Sequence, residues 1–317
     1  MKVSIVIPVY NVAPYLARCL DFVGRQTFRD FEVVAVDDGS TDGSDKILDE
    51  YVADFPLKRI HQANGGASRA RNAGFAAATG ERVMFLDADD VIHPRLLEWT
   101  QAALDESGAD YVVFDHLRAS AADLDRVCAD WSADAVAPEH EMLAVPAFEW
   151  FVRGRRLPAP WQFLVRRTDL PPAPFPVDIA IYEDVPFTLG LVVRPLRGVW
   201  IRKALYGYSV MEKSQSHNSP LEKRMFGIEA GMRLLRSQMD DRQWRLHARN
   251  NCAPWILDFR REIRALSVED GHWRFRRRLG ELVDRLRKDG LIRWRDFKLS
   301  RRLRLMAFLA FGRREAK

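Results

Sequence analysis

Short β-branched runs alternate with helix-length amphipathic stretches through residues 1–115, the pattern of a parallel sheet covered by helices. Val3–Pro8 predicts a buried strand and Ala13–Arg25 a helix. Phe31–Val36 is a second strand running into Asp37-Asp38-Gly39, after which "STDGSDKILDEYV" predicts a helix with Ser/Thr/Asp capping chemistry in its first turn. Lys58–His61 is a short third strand, Ser68–Ala78 a helix and Val83–Leu86 a fourth strand. Pro94–Glu106 is a further helix and Tyr111–Phe114 a fifth strand. In sheets of this kind ligands bind in the crevice at the carboxyl ends of the strands, where each polar cluster of this region falls.

The pattern then changes. Residues 119–140 are acidic and weakly patterned, an excursion from the sheet, and residues 158–176 hold six prolines, which mark a shaped loop or a boundary. Beyond 219 the periodicity is helical and the charge basic, and there is no internal repeat. Three segments result, 1–118, 119–218 and 219–317.

Composition refines this. The chain has 317 residues, 47% apolar and 29% charged, enough for one large domain or two ordinary ones. Its net charge of +5 conceals an asymmetry: residues 221–317 hold 26 Lys+Arg against 13 Asp+Glu, so they carry +13 and the rest −8. Cys19, Cys128 and Cys252 form neither a zinc pattern nor a disulfide framework and suit packing in a reducing compartment. The opening "MKVSIVIPVYN" is interrupted by Pro8 and Asn11 and lacks a small-residue cleavage site, so it does not read as a signal peptide. No run approaches the ~18 apolar residues of a membrane span. The expected location is cytoplasmic.

Four clusters carry chemistry. Asp37 and Asp38, between a strand and a helix, can accept from a base N–H or a ribose hydroxyl, with Gly39 allowing a tight turn; capping of the next helix is the simpler alternative. "NGGASRARNAG" (Asn64–Gly74) is a glycine loop entering a helix with Arg69 and Arg71 at its start, which suits an anion, although it is neither a P-loop nor GxGxxG. "DADD" places Asp87, Asp89 and Asp90 past a strand end, where carboxylates can grip a hard cation such as Mg²⁺ or Mn²⁺, or merely form a solvated turn. Glu183 and Asp184 in "IAIYEDVPF" offer a general base or a surface ion pair.

In this order the set closely resembles the inverting family-two glycosyltransferases of GT-A fold. "VSIVIPVYN", "QTFRDFEVVAVDDGSTDGS", "NGGASRARNAG" and "GERVMFLDADD" carry the likeness over residues 3–90. "APWQFLVRR" and "YEDVPF" are similar to the acceptor-side Trp segment and the Glu-Asp motif of bacterial surface-polysaccharide members. The resemblance implies an α/β, Rossmann-like, mostly parallel sheet with helices on both faces, plus the basic helical C-terminal region. It makes residues 1–118 a nucleotide-sugar-binding half and 119–218 an acceptor and catalytic half. It further implies that Asp38 contacts the uracil of a UDP-linked sugar and that Pro8, Tyr10 and Arg71 help enclose the nucleotide. Asp87 then approaches the ribose, Asp89 ligates Mn²⁺ or Mg²⁺ with Asp90 as a substitute, and Asp184 is the base. One departure is that Ser209 and Met211 stand where many members have Arg and His over the diphosphate; Lys213 or His217 could supply those contacts.

The implied reaction is a single displacement at the anomeric carbon by a hydroxyl of a glycan or lipid-linked glycan. The tail interleaves Trp294, Phe297, Leu303, Leu305, Phe308 and Phe311 with nine Lys/Arg. It can lie on an anionic membrane surface or pack on the domain with a solvated basic face. A receiver-type signalling domain is the rival suggested by the early Asp pair, but the glycine-arginine loop and DxD do not suit it. A nonenzymatic sugar-nucleotide binder is a further alternative. The acidic first 220 residues argue against a nucleic-acid partner.

Overall fold

The computed structural model describes residues 2–129, 131, 136–145, 147–148, 151, 158–179, 183–210, 220–248, 250, 253–265, 272–297 and five positions between 302 and 309. The chain divides into two compact units. The first comprises Met1–Ala147, Pro158–Asp178 and Arg194–Ser214, and the second Phe148–Leu157, Ile179–Val193 and Gln215–Lys317. The expected segment 119–218 is therefore shared between the units, because three strands within it belong to the sheet of the first.

Among the described residues that sheet is nine-stranded. Its strands are β1 (Val3–Val9), β2 (Phe31–Asp37), β3 (Leu57–His61), β4 (Arg82–Phe85), β5 (Val91–Ile92), β6 (Tyr111–Ser120), β7 (His140–Met142), β8 (Phe163–Arg166) and β9 (Gly198–Val210). The order is β3-β2-β1-β4-β8-β6-β9-β5, with β7 also pairing β9. β3, β2, β1 and β4 pair in parallel, as the alternating pattern predicts. β8 then runs antiparallel to both β4 and β6, and β9 is parallel to β6 but antiparallel to β5 and β7. The sheet is thus parallel in its N-terminal half and mixed beyond it.

Helices cover both faces. Val33 and Ala35 of β2 join Ile5 and Ile7 of β1 in a core with Leu16, Cys19, Leu20 and Val23 of α1 (Ala13–Gly24) and Leu96, Leu97 and Trp99 of α4 (Leu96–Ser107). Val34 and Val36 face the other way and pack on Ala70 of α3 (Ala67–Ala77). Both faces of β1 and β2 are buried, which is why they read as unbroken apolar runs. α3 approaches closely because its inner face is small: a Cβ on Gly74 would lie 2.4 Å from Val6 Cγ1. α2 (Ser44–Glu50) starts later than expected, after Gly43, and Asp42 rather than Asp38 or Ser40 accepts the Ser44 N–H, at 3.0 Å.

The second unit is helical. It holds α6 (Asp184–Val192), α7 (Leu221–Gln238), α8 (Asp241–His247), α9 (Ala253–Ala265) and α10 (His272–Lys288), α5 being the short Leu124–Val127 of the first unit. Much of its basic charge is paired internally. Arg278 and Arg274 reach Glu222, Arg285 and Arg233 reach Glu229, and Arg224 reaches Glu262 at 2.6 Å. Of the described apolar residues of the tail, Phe297, Leu305, Phe308 and Leu309 are buried, Trp294 is partly buried and Met306 is exposed. The Arg276 guanidinium lies 4.3 Å from the Phe308 ring centroid and donates to the Phe308 carbonyl. Leu303, Phe311, Lys213 and His217 lie outside the described residues. Among the described residues no helix is long and apolar enough to cross a membrane.

Candidate active site

The carboxyl ends of β1, β2 and β4 and the start of α3 bring most of the expected residues into the first unit. Pro8 sits in β1 opposite Val36, and Tyr10, 37% exposed, follows the strand. Asn11 adopts φ 52°, and its Oδ1 accepts the Thr41 N–H at 2.8 Å, tying the exit of β1 to the loop after β2. Gly39 has φ +73°, and a Cβ there would sit 2.9 Å from the Asn64 nitrogen, so the Asp pair and the glycine loop are packed backbone to backbone.

Asp38 fastens that contact. Its carboxylate accepts from Gln62 Nε2 at 2.7 Å, from the Gly65 N–H at 2.9 Å and from the Gly66 N–H at 2.7 Å. A carboxylate offers roughly four acceptor positions, so about one is left for a ligand N–H. Asp37 accepts from Ser40 N–H at 3.1 Å and faces His61, whose other ring nitrogen lies 3.0 Å from Asp49. Burial opposes protonation of His61, but the bonds to Asp37 and Asp49 prevail and raise its pKa.

Arg71, largely buried on α3, donates through Nη2 to Asp87 Oδ1 at 2.8 Å, with its guanidinium 5.3 Å from the Phe175 ring centroid. The three carboxylates of the β4 turn are thereby distinguished. Asp87 is paired with Arg71. Asp90 is buried and accepts from Tyr206 Oη and from the Ser209 N–H, each at 2.6 Å. Asp89 is only partly buried, and among the described residues no group of another residue bonds its carboxylate, although Arg18 Nη2 donates to its backbone carbonyl at 3.0 Å. Burial, and then the charge of Asp87, push the Asp89 carboxyl up to about 6. The same causes, with Asp89 as the larger neighbouring charge, raise Asp90 well above the usual carboxylate range.

Among the described residues no three His, Cys, Asp or Glu side chains form a ready cation cage. What the turn offers is one open, desolvated carboxylate. That fits Mg²⁺ or Mn²⁺ of the kind held by one or two protein carboxylates and completed by substrate phosphates and water.

Asp184 opens α6 in the second unit, where its Oδ1 accepts the Val185 N–H at 2.9 Å. Four participants are not evident from the sequence: Gln62, Arg18, Tyr206 and the backbone of Ser209. Gln62 adjoins the glycine loop, and Tyr206 lies in the "YGYSV" segment, so adjacency to motifs was the one available signal.

Fold and site together describe an α/β protein that presents acidic and glycine-arginine loops at the carboxyl edge of a parallel half-sheet. Residues 4–151, a little under half of the chain, match Glycosyl transferase family 2. It is 33% identical over 215 residues to the uncharacterized glycosyltransferase EpsJ of Bacillus subtilis, a match covering 65% of this chain and 60% of EpsJ. It is 36% identical over 117 residues to the poly(ribitol-phosphate) beta-N-acetylglucosaminyltransferase TarS of Staphylococcus aureus, covering 36% of this chain and 20% of TarS. The crystal structure of S. aureus TarS 1-349 in complex with UDP-GlcNAc superposes with a TM-score of 0.66 at 21% identity, covering 93% of this chain and 83% of that one, and shares the GT-A fold.

Proposed function

We propose that this protein is an inverting glycosyltransferase that moves a sugar, a hexose, from a UDP-linked donor to a hydroxyl of a glycan or lipid-linked glycan in polysaccharide biosynthesis. The observation that carries this reading is the division of labour at the β4 turn: Asp87 is held by Arg71 and Asp90 by Tyr206 and the Ser209 amide, while among the described residues no group of another residue bonds the Asp89 carboxylate. The match of residues 4–151 to glycosyl transferase family 2 and the likeness to TarS, solved with UDP and with UDP-GlcNAc, support it.

In this reading Asp38 and the loop it organises receive the uracil, Pro8 and Tyr10 line the nucleotide, and Asp87 meets the ribose. Asp89 holds Mn²⁺ or Mg²⁺, which supplies positive charge at the diphosphate. Arg71 adds guanidinium charge on the same side. Asp184 accepts the proton of the acceptor hydroxyl as its oxygen attacks the anomeric carbon. The bond from that carbon to the diphosphate oxygen breaks, its electron pair leaves with UDP, and attack from the opposite face inverts the centre.

The acceptor would be met on the cytoplasmic side, at the inner face of the cell membrane if it is lipid-linked. Because Phe297, Leu305, Phe308 and Leu309 are buried, attraction to an anionic surface would rest more on exposed arginines than on these side chains. A thermal-shift panel of nucleotide sugars with and without Mn²⁺ tests the donor: a UDP-sugar should stabilise the protein and more so with Mn²⁺. Indifference to every UDP-sugar would refute the reading.

A further inference from the structure

Tyr206 is fully buried, stacked on Trp161 with ring centroids 4.3 Å apart and planes at 19°. Its hydroxyl has two partners in the acidic turn: it donates to Asp90 Oδ2 at 2.6 Å and accepts the Asp87 N–H at 3.3 Å. A phenol has one proton to give, so these roles are complementary. Asp90 Oδ1 accepts from the Ser209 N–H at 2.6 Å, and the Asp90 N–H returns to the Asp87 carbonyl at 3.1 Å. Both ends of the turn are thus fixed to β9, while Arg18 holds its middle by the Asp89 carbonyl.

A buried carboxylate is unfavourable unless hydrogen bonds compensate it. Here two short bonds offset part of that cost, and ligating a cation through Asp90 would sacrifice at least one of them. Asp89 has no such bond to lose.

We propose that Asp90, Tyr206 and the Ser209 amide form a clasp that positions the turn, so that Asp87 and Asp89 are presented to the donor, and that Asp90 acts through this clasp rather than as a cation ligand. The inference rests on the nucleotide-sugar reading above. Asp90 and Tyr206 are positioning residues and need not touch the donor.

Three variants separate the possibilities. Y206F keeps the ring on Trp161 but removes the hydroxyl. D90A removes both bonds. D90N keeps the Ser209 bond through its amide oxygen and can donate to Tyr206 through its NH₂. The readouts are UDP titration in Mn²⁺ and in EDTA, and amide hydrogen exchange at Asp87 and Ser209 in the ligand-free protein.

The clasp predicts that D90N stays within about threefold of wild type, whereas Y206F and D90A lose about 10- to 100-fold of the Mn²⁺-dependent affinity. It also predicts faster Ser209 exchange in D90A and faster Asp87 exchange in Y206F. Wild-type affinity in Y206F overturns the proposal, as does a D90N loss equal to that of D90A, which would mark Asp90 as a cation ligand. If the wild type binds no UDP at all, the donor reading fails separately; unchanged exchange in both Y206F and D90A then overturns the clasp itself.

Discussion

Arg71 Nη2 donates to Asp87 Oδ1 at 2.8 Å across 16 positions of the chain, joining the helix after the glycine loop to the turn after β4. Charge-assisted bonds of this kind contribute about 1.5–3 kcal/mol. R71A should therefore weaken UDP binding by about 10- to 100-fold. R71K, which retains charge but not the fork, should recover only part of this. Calorimetric titration of UDP reads both.

Asp89 should account for the response to divalent cations. D89A is expected to abolish the Mn²⁺-dependent part of UDP binding while leaving binding in EDTA nearly unchanged. A D89A protein whose UDP affinity still rises with Mn²⁺ would place the cation elsewhere.

Glu32 links stability to pH. Burial opposes its ionisation as the largest single effect, but bonds from Ser4, Lys2 and Thr79 outweigh it and hold the carboxyl at about 2, against 4.5 for a free side chain. Because the folded protein binds this proton more weakly than the unfolded chain, the stabilisation is complete above 4.5 and is lost as pH falls toward 2. Its upper bound is about 3 kcal/mol. In E32Q the acid limb of a melting-temperature profile should flatten over that window.

Gly74 is fixed by contact rather than by backbone angle. G74V should destabilise the protein by at least about 1–3 kcal/mol, since the first added carbon already overlaps Val6. Denaturant unfolding measures the loss.

The sequence pattern revealed β1 to β4 and the helices between them because β1, β2 and β4 are largely apolar runs and each connection is local. β8 and β9 were not legible. β8 has four residues in a proline-rich stretch, and β9 carries Arg202-Lys203 in its middle, where its pairing with β6 shifts register. Both are strands because of distant partners, not local propensity. The site divides in the same way. Asp38, Arg71, Asp87 and Asp89 stood out as motifs, whereas the Tyr206 bond to Asp90 spans 116 positions and left no local trace. The amphipathic tail suggested either of two surfaces, and only packing shows Phe297, Leu305, Phe308 and Leu309 turned inward while Met306 stays exposed.

UDP release from a panel of UDP-sugars in Mn²⁺ with a glycan acceptor, measured for wild type and D184N side by side, bears on donor, reaction and base together. The wild type should release UDP, and D184N should release it about 10²- to 10⁴-fold more slowly with UDP affinity preserved. Near-normal release by D184N would contradict the base assignment, and no release by the wild type from any UDP-sugar would contradict the proposed activity itself.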